Sequence, residues 1–253
     1  MRLDELLTCA LDIGEQMLMS GAEIARVEDS IERICRAYQA EQVHVFSITS
    51  SMLLTVRAAD GETLTQTRRI RSYTTDLDRL DRLNSLSRYV CRHTPPADYI
   101  RSELRAIAAR KTYPPAALCA TAAMIAGALT LFFGGDAVDA AASAVIAVLV
   151  RLLQTLLQRL DANRVFESTL CAATAGALAI LAVFFGLGHH EDMIIIGNIM
   201  LLIPGVVLTN SIRDMLSGDM ISGLLRLSES VVLAVAIAIG FALSAALLGG
   251  MLA

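Results

Sequence analysis

The residues from Asn198 to Arg226 combine polar groups with helix breakers inside an otherwise apolar region: Asn198, Pro204, Gly205, Asn210, Arg213, Asp214, Gly218, Asp219, Ser222 and Arg226. Pro204 lacks a backbone donor and Gly205 loosens the turn beside it, so a helix is expected to break here. At membrane depth the freed backbone groups need other partners, and the exposed positive end of the following half-helix suits a carboxylate. Asn210, Arg213 and Asp214 fall within about one turn of one another. Gly218 permits a second break, after which Asp219, Ser222 and Arg226 follow at near-helical spacing, so polar side chains converge near one depth. A plain proline kink followed by an interfacial helix is the alternative. Arg151 is a further candidate: a charge inside a span costs about 2.5 to 3.5 kcal/mol unless it finds water or a partner. Either it snorkels to the near interface or it faces a polar cavity and meets a substrate carboxylate.

Other chemistries leave no trace. The sequence contains no Gly-x-Ser-x-Gly elbow, no Gly-rich phosphate loop and no His-Glu-x-x-His helix, so no catalytic residue and no cofactor is expected. His189-His190-Glu191-Asp192 offers metal-type side chains, but adjacent residues rarely close one coordination shell, and no metal is expected there. Cys9, Cys35, Cys91, Cys119 and Cys171 are scattered and never in Cys-x-x-Cys spacing, which fits buried thiols in a reducing compartment. A net charge of -4 with no basic tail argues against nucleic acid. Arg68, Arg69 and Arg71 form the densest basic cluster, read as a solvated strand end or as a contact for anionic headgroups or an anionic solute.

The elements that must position these groups follow from hydropathy. The 253 residues are 55% hydrophobic and 18% charged, with mean hydropathy +0.58, but residues 1–113 hold 16 of the 21 Lys and Arg and 16 of the 25 Asp and Glu. Two physically different parts result: a cytosolic α+β domain over 1–113 and a transmembrane domain over 114–253. In the first, Leu3 through Leu18 and Ile24 through Ile34 repeat at helical spacing, with Ser20-Gly21-Ala22-Glu23 between them in capping-box order. Residues 43–48, 52–56 and a polar strand ending near Thr67, with a turn at Asp60-Gly61, predict a small antiparallel sheet. Two helices follow, around Leu77 to Val90 and Ile100 to Ile107.

In the second part, charge-poor stretches near the ~20 residues needed to cross ~30 Å of hydrocarbon predict about five α-helical spans, at 116–133, 138–158, 168–188, 193–209 and 230–252. The turns at 134–136 and 188–192 carry no Lys or Arg. Arg110, Lys111, Arg159, Arg164, Arg213 and Arg226 fall on the other side, which places the N-terminus in the cytosol and the C-terminus outside. The start, Met1 to Cys9, carries Asp4 and Glu5 and does not read as a secretory signal.

Two stretches together resemble the threonine/serine exporter family: Ser20-Gly-Ala-Glu-Ile-Ala-Arg-Val-Glu28, and Ile203-Pro-Gly through Asn210, Asp214, Ser222-Gly223 and Arg226. The resemblance marks Gly21, Glu23, Arg26 and Glu28 as a motif of the cytosolic domain. It implies the larger subunit of a split exporter in a bacterial inner membrane, for threonine, serine or small dicarboxylates such as succinate. A second small membrane subunit, a homo-oligomer, or both would complete it. The physics agrees, because transport pathways commonly form between two repeats and five spans show no internal duplication. The expected substrate-binding residues are Asn198, Pro204, Gly205, Asn210, Asp214, Asp219, Ser222, Arg226 and Arg151. The alternative is a non-transporting membrane protein whose N-terminal domain binds a ligand or partner and whose spans only anchor it.

Overall fold

The computed structural model describes residues 1–71, 74–110 and 113–249. Lys111, counted above among the flanking basic residues, and the end of the fifth expected span lie outside the described residues. Contacts sort the chain into two compact units, Met1–Lys111 with Gly205–Ser228, and Thr112–Pro204 with Glu229–Ala253.

The first unit opens with α1 (Leu3–Met19) and α2 (Ile24–Ala37). Both bury the apolar stripe their spacing predicts, including Leu7, Leu11 and Met17 on α1 and Ile24, Ile31 and Ile34 on α2. β1 (Gln42–Ile48), β2 (Ser51–Arg57) and β3 (Thr63–Arg69) form an antiparallel sheet in the order β1-β2-β3, with Phe46 opposite Leu53 and Met52 opposite Arg68. Alternation along β2 sends Met52, Leu54 and Val56 into the core shared with the helices, while Phe46 and Leu53 stay exposed on the other face. Arg68, from the basic cluster, is half-buried and pairs with Asp12 and Glu15, which fastens β3 to α1. Arg69 and Arg71 are exposed. α3 (Leu77–His93) starts on Asp76, whose carboxylate accepts from the Arg79 amide at 3.0 Å, and α4 (Ala97–Ala108) starts directly after Pro95-Pro96.

α9 (Gly205–Leu216) and the first turns of α10 (Met220–Ser244) complete this unit. Gly218 joins them at φ +101°, a left-handed conformation that glycine adopts without strain. Gly223 then lets α10 lie against α9, since a Cβ there would sit 2.7 Å from the Ser211 carbonyl oxygen.

The second unit holds α5 (Pro115–Phe132), α6 (Ala137–Arg159), α7 (Arg164–Phe184), α8 (Glu191–Leu202) and the rest of α10, continued by a π-helical turn over Ala245–Gly249. α5, α6, α7 and α10 are each long and apolar enough to cross a membrane, and the broken pair α8–α9 makes a fifth candidate. The fold is thus an α-helical membrane protein with four candidate spans, or five if the bent pair is one span, and a small antiparallel sheet near its N-terminus. Small residues set the helix spacing: a Cβ on Gly240 would lie 2.4 Å from the Thr169 carbonyl oxygen, so α10 packs backbone to backbone against α7.

Candidate functional site

The candidate site in the first unit is built on the short loop between α1 and α2. Ser20 closes α1, its hydroxyl donating back to the Gln16 carbonyl at 2.7 Å, and Gly21 turns the chain at φ +95°. α2 then begins on Glu23 in extended backbone, with no side-chain cap from that residue. The capping box expected from Ser20 and Glu23 is therefore not formed, because the left-handed turn makes Ser20 the end of one helix rather than the start of the next. That leaves the first amide of α2 and the loop carbonyls in need of partners.

Those partners come from α9 and α10, some 190 residues later. Asp214 Oδ1 accepts the Ile24 amide at 3.2 Å, acting as the N-cap that Glu23 does not provide. Its Oδ2 accepts from Arg226 Nη1 at 3.0 Å, and Arg226 Nη2 donates to the Ala22 carbonyl at 3.0 Å. Asn210 Nδ2 donates to the Gly21 carbonyl at 3.1 Å, and the exposed Arg213 pairs with Glu23. Asp214 is 1% exposed and Arg226 4%, so this ion pair is removed from water and held by charge-assisted hydrogen bonds.

The helix break supplies the reach. Asp214 lies in the last turn of α9 and Arg226 in the second turn of α10, and the reversal at Gly218 brings them face to face. Asp219, between the two helices, is partly buried, and burial pushes its carboxyl above the ordinary range. Glu28, one turn along α2, accepts the Ser47 amide at 2.6 Å, yet burial and the nearby Asp219 charge still raise its carboxyl. Ser222 is buried, whereas Arg26 is exposed on α2.

Of the expected residues, the structure brings together Gly21, Glu23, Asn210, Asp214 and Arg226, with Glu28, Asp219 and Ser222 close by in the same unit. Arg151 and Asn198 belong to the second unit. Arg151, half-buried on α6, donates to Gln154 at 3.3 Å. Asn198, buried on α8, donates to Ser143 Oγ at 2.9 Å and to the Ile194 carbonyl at 3.0 Å. Pro204 and Gly205 mark the break between α8 and α9, as expected.

Two features escaped the sequence reading. The backbone of Gly21, Ala22 and Ile24 contributes as much to the site as any side chain, and a loop carbonyl leaves no signature in sequence. Asp139 is the other. Fully buried at the head of α6, it accepts the amides of Asp136, His189 and His190 and the ring Nδ1 of His190, while His189 Nδ1 contacts Asp136. Asp136, Asp139 and His189 each offer a ligand atom within 4.8 Å of the others, but four donors already fill the lone pairs of Asp139. Asp136 holds the His189 ring above the ordinary histidine range.

The two stretches that meet at Asp214 and Arg226 both lie inside a match to the family model described as "Putative threonine/serine exporter", which spans residues 8–248. The chain belongs to the threonine/serine exporter family. It is also 25% identical over 242 residues to a protein of Mycobacterium tuberculosis H37Rv named "Probable threonine/serine exporter". That match covers 95% of this chain and 46% of the relative, so the chain spans about half the length of the curated relative it matches. No solved structure matches. For this exporter-family membrane protein, the matched span includes both the loop motif and the broken α8–α9 pair, so the converging site lies wholly within the family's own territory.

Proposed function

We propose that this chain is one half of a secondary exporter of small carboxylates, completed by a second membrane subunit in a bacterial inner membrane. Threonine and serine are the first candidates for cargo, with dicarboxylates such as succinate in the same chemical class. The flanking positive charges favour a cytosolic N-terminus and a C-terminal end outside. The relative's other half, which this chain does not match, is the natural counterpart of the second subunit.

The observation that carries the reading is the arrangement around Arg226: a buried guanidinium that donates to the Asp214 carboxylate and to the Ala22 loop carbonyl. A planar, permanently charged fork is the side chain best suited to a carboxylate, and here it already binds an internal one. A cargo carboxylate can take that position when Asp214 gives it up, and a displaced buried Asp214 would take a proton rather than remain charged without a partner. Cargo binding and protonation of Asp214 are then linked. Because the same two residues hold the loop at Ala22 and Ile24, occupancy at Arg226 is communicated to α2 and the sheet it packs against.

Flux of labelled threonine, serine and succinate in proteoliposomes, with and without the candidate second subunit, tests the reading. Flux of at least one of them is expected, and its absence in every combination would overturn it.

A further inference from the structure

Between Asp139 in its first turn and Arg159 at its end, α6 carries a single charge, Arg151. The helices around it leave one side of α6 uncovered. Asp139 accepts the His189 and His190 amides, so the heads of α6 and α8 lie at one end of the second unit and the two helices run the same way. Asn198 on α8 then meets Ser143 on α6 at 2.9 Å. α8 ends at Leu202, one turn past Asn198, so it stops about level with Ala147, and Arg151 lies roughly one turn further on. The other half of that broken span, α9, groups with the first unit. Within the second unit, no helix continues α8 along this side of α6.

The exposed stretch is polar. Arg151, Gln154 and Gln158 follow at helical spacing on one face, while Leu149, Leu152 and Leu156 are exposed on the opposite one, as lipid-facing residues are. The Arg151 guanidinium donates to Gln154 Oε1 at 3.3 Å and forms no ion pair among the described residues. About 12 Å of helix separates Arg151 from Arg159, more than one side chain spans. A cation held at such depth by one neutral neighbour calls for a carboxylate.

This unit has none to spare among its described residues. Glu167 accepts from Gln158 Nε2 at 2.9 Å, and Glu229 pairs with Arg164 at 3.2 Å. The other acids lie at the heads of α6 and α8 or in the turn after Arg159. A second copy of this unit brings the same set, so a different chain must supply the counter-charge. The chain matches only 46% of its curated relative, which leaves room for further membrane segments in the complete assembly.

We propose that the Arg151–Gln154–Gln158 face of α6 is the docking surface for a helix of the second membrane subunit, which takes the place beyond the end of α8 and brings an Asp or Glu to Arg151. The inference rests on the two-subunit reading above and says where the halves meet. The apolar remainder of such a helix packs as membrane helices do, and the ion pair fixes its depth and register.

The test uses the full chain co-expressed with the membrane protein whose presence gives flux in proteoliposome vesicles, and measures how much of that protein co-purifies in mild detergent. Arg151→Met and Arg151→Glu should each lower the yield by about tenfold or more, the scale of one desolvated charge pair, and Arg151→Lys should keep most of it. Replacing the acids in the partner's spans by Lys, one at a time, should identify one that restores the complex with Arg151→Glu. The isolated chain with Arg151→Met should melt no lower than wild type, because the change removes a charge that has no counter-ion there. Undiminished co-purification with both Arg151→Met and Arg151→Glu would overturn the docking surface and leave the exporter reading intact. So would loss of flux with the complex preserved, which would give Arg151 to the cargo, and so would a lowered melting temperature of the isolated Arg151→Met chain. Absence of flux in every combination would overturn the exporter reading and this inference together.

Discussion

The two units each bury one aspartate almost completely, and they satisfy it in opposite ways. Asp139 sits at the head of α6 under four donors, three of them backbone amides in fixed positions. Among the described residues Asp214 accepts from one amide and one guanidinium, and that guanidinium also donates to the Ala22 carbonyl. Fixed backbone donors make a cap that nothing can replace. A side-chain partner can be exchanged for another of the same chemistry, and on the function proposed above Asp214 is the carboxylate that trades places with cargo while Asp139 stays in its cap.

The largest effect expected of any substitution is at Arg226. Arg226→Met strands a buried carboxylate and should destabilise the first unit by about 3 to 5 kcal/mol. Adding Asp214→Leu should recover most of that loss in denaturant unfolding while leaving transport abolished. Recovery of both, or of neither, would erase the contrast. Asp139→Asn turns an amide nitrogen toward existing donors and should cost on the order of 2 to 3 kcal/mol in the same assay, with KM unchanged in the protein that folds. A raised KM there would move Asp139 into the binding machinery.

Smaller effects concern pH. Burial raises the Glu28 carboxyl, so its contribution to stability is fully present below the ordinary glutamate range and is lost as pH rises through its folded value. The melting temperature of the purified chain should therefore fall between mildly acidic and neutral pH, and Glu28→Gln, which still accepts the Ser47 amide, should flatten that slope. His189 is raised by Asp136 and follows the same sign. Its stabilisation is present below the ordinary histidine value and lost as pH rises through the folded one. His189→Ala should remove a shallow step near neutrality and nothing else, because both partners are largely exposed.

Much of this was legible in the sequence. Helical spacing gave α1 to α4, alternation and Asp60-Gly61 gave the sheet, and the uncharged runs gave the long apolar helices, because burial periodicity is local information; the grouping of Gly205–Ser228, expected within the transmembrane part, with the N-terminal unit was not readable this way. The break at Pro204-Gly205 and the turn at Gly218 were equally readable, since each rests on the backbone chemistry of one residue. The use of Asn210, Asp214 and Arg226 was less so. Their convergence was expected from spacing, but their partners at Gly21, Ala22 and Ile24 lie about 190 residues away, and pairing over that distance leaves no periodic trace. Ser20 and Glu23 show the same limit: the spacing of a capping box was present, and the left-handed turn at Gly21, supported by Asp214 from another helix, took its place. Asp139 passed unnoticed because an acid in the first turn of a helix is ordinary until its four donors are seen.

The most direct test of the exchange at Arg226 is the pH dependence of KM for serine or threonine in wild type and in Asp214→Asn, measured in the vesicles at equal protein levels. If the cargo carboxylate and Asp214 share one guanidinium, wild-type KM falls as pH is lowered, because protonation removes the competitor. In Asp214→Asn the dependence disappears and the maximal rate drops by about tenfold or more, on the scale of one buried charge-assisted contact. A variant that retains the wild-type pH dependence and rate would contradict the account.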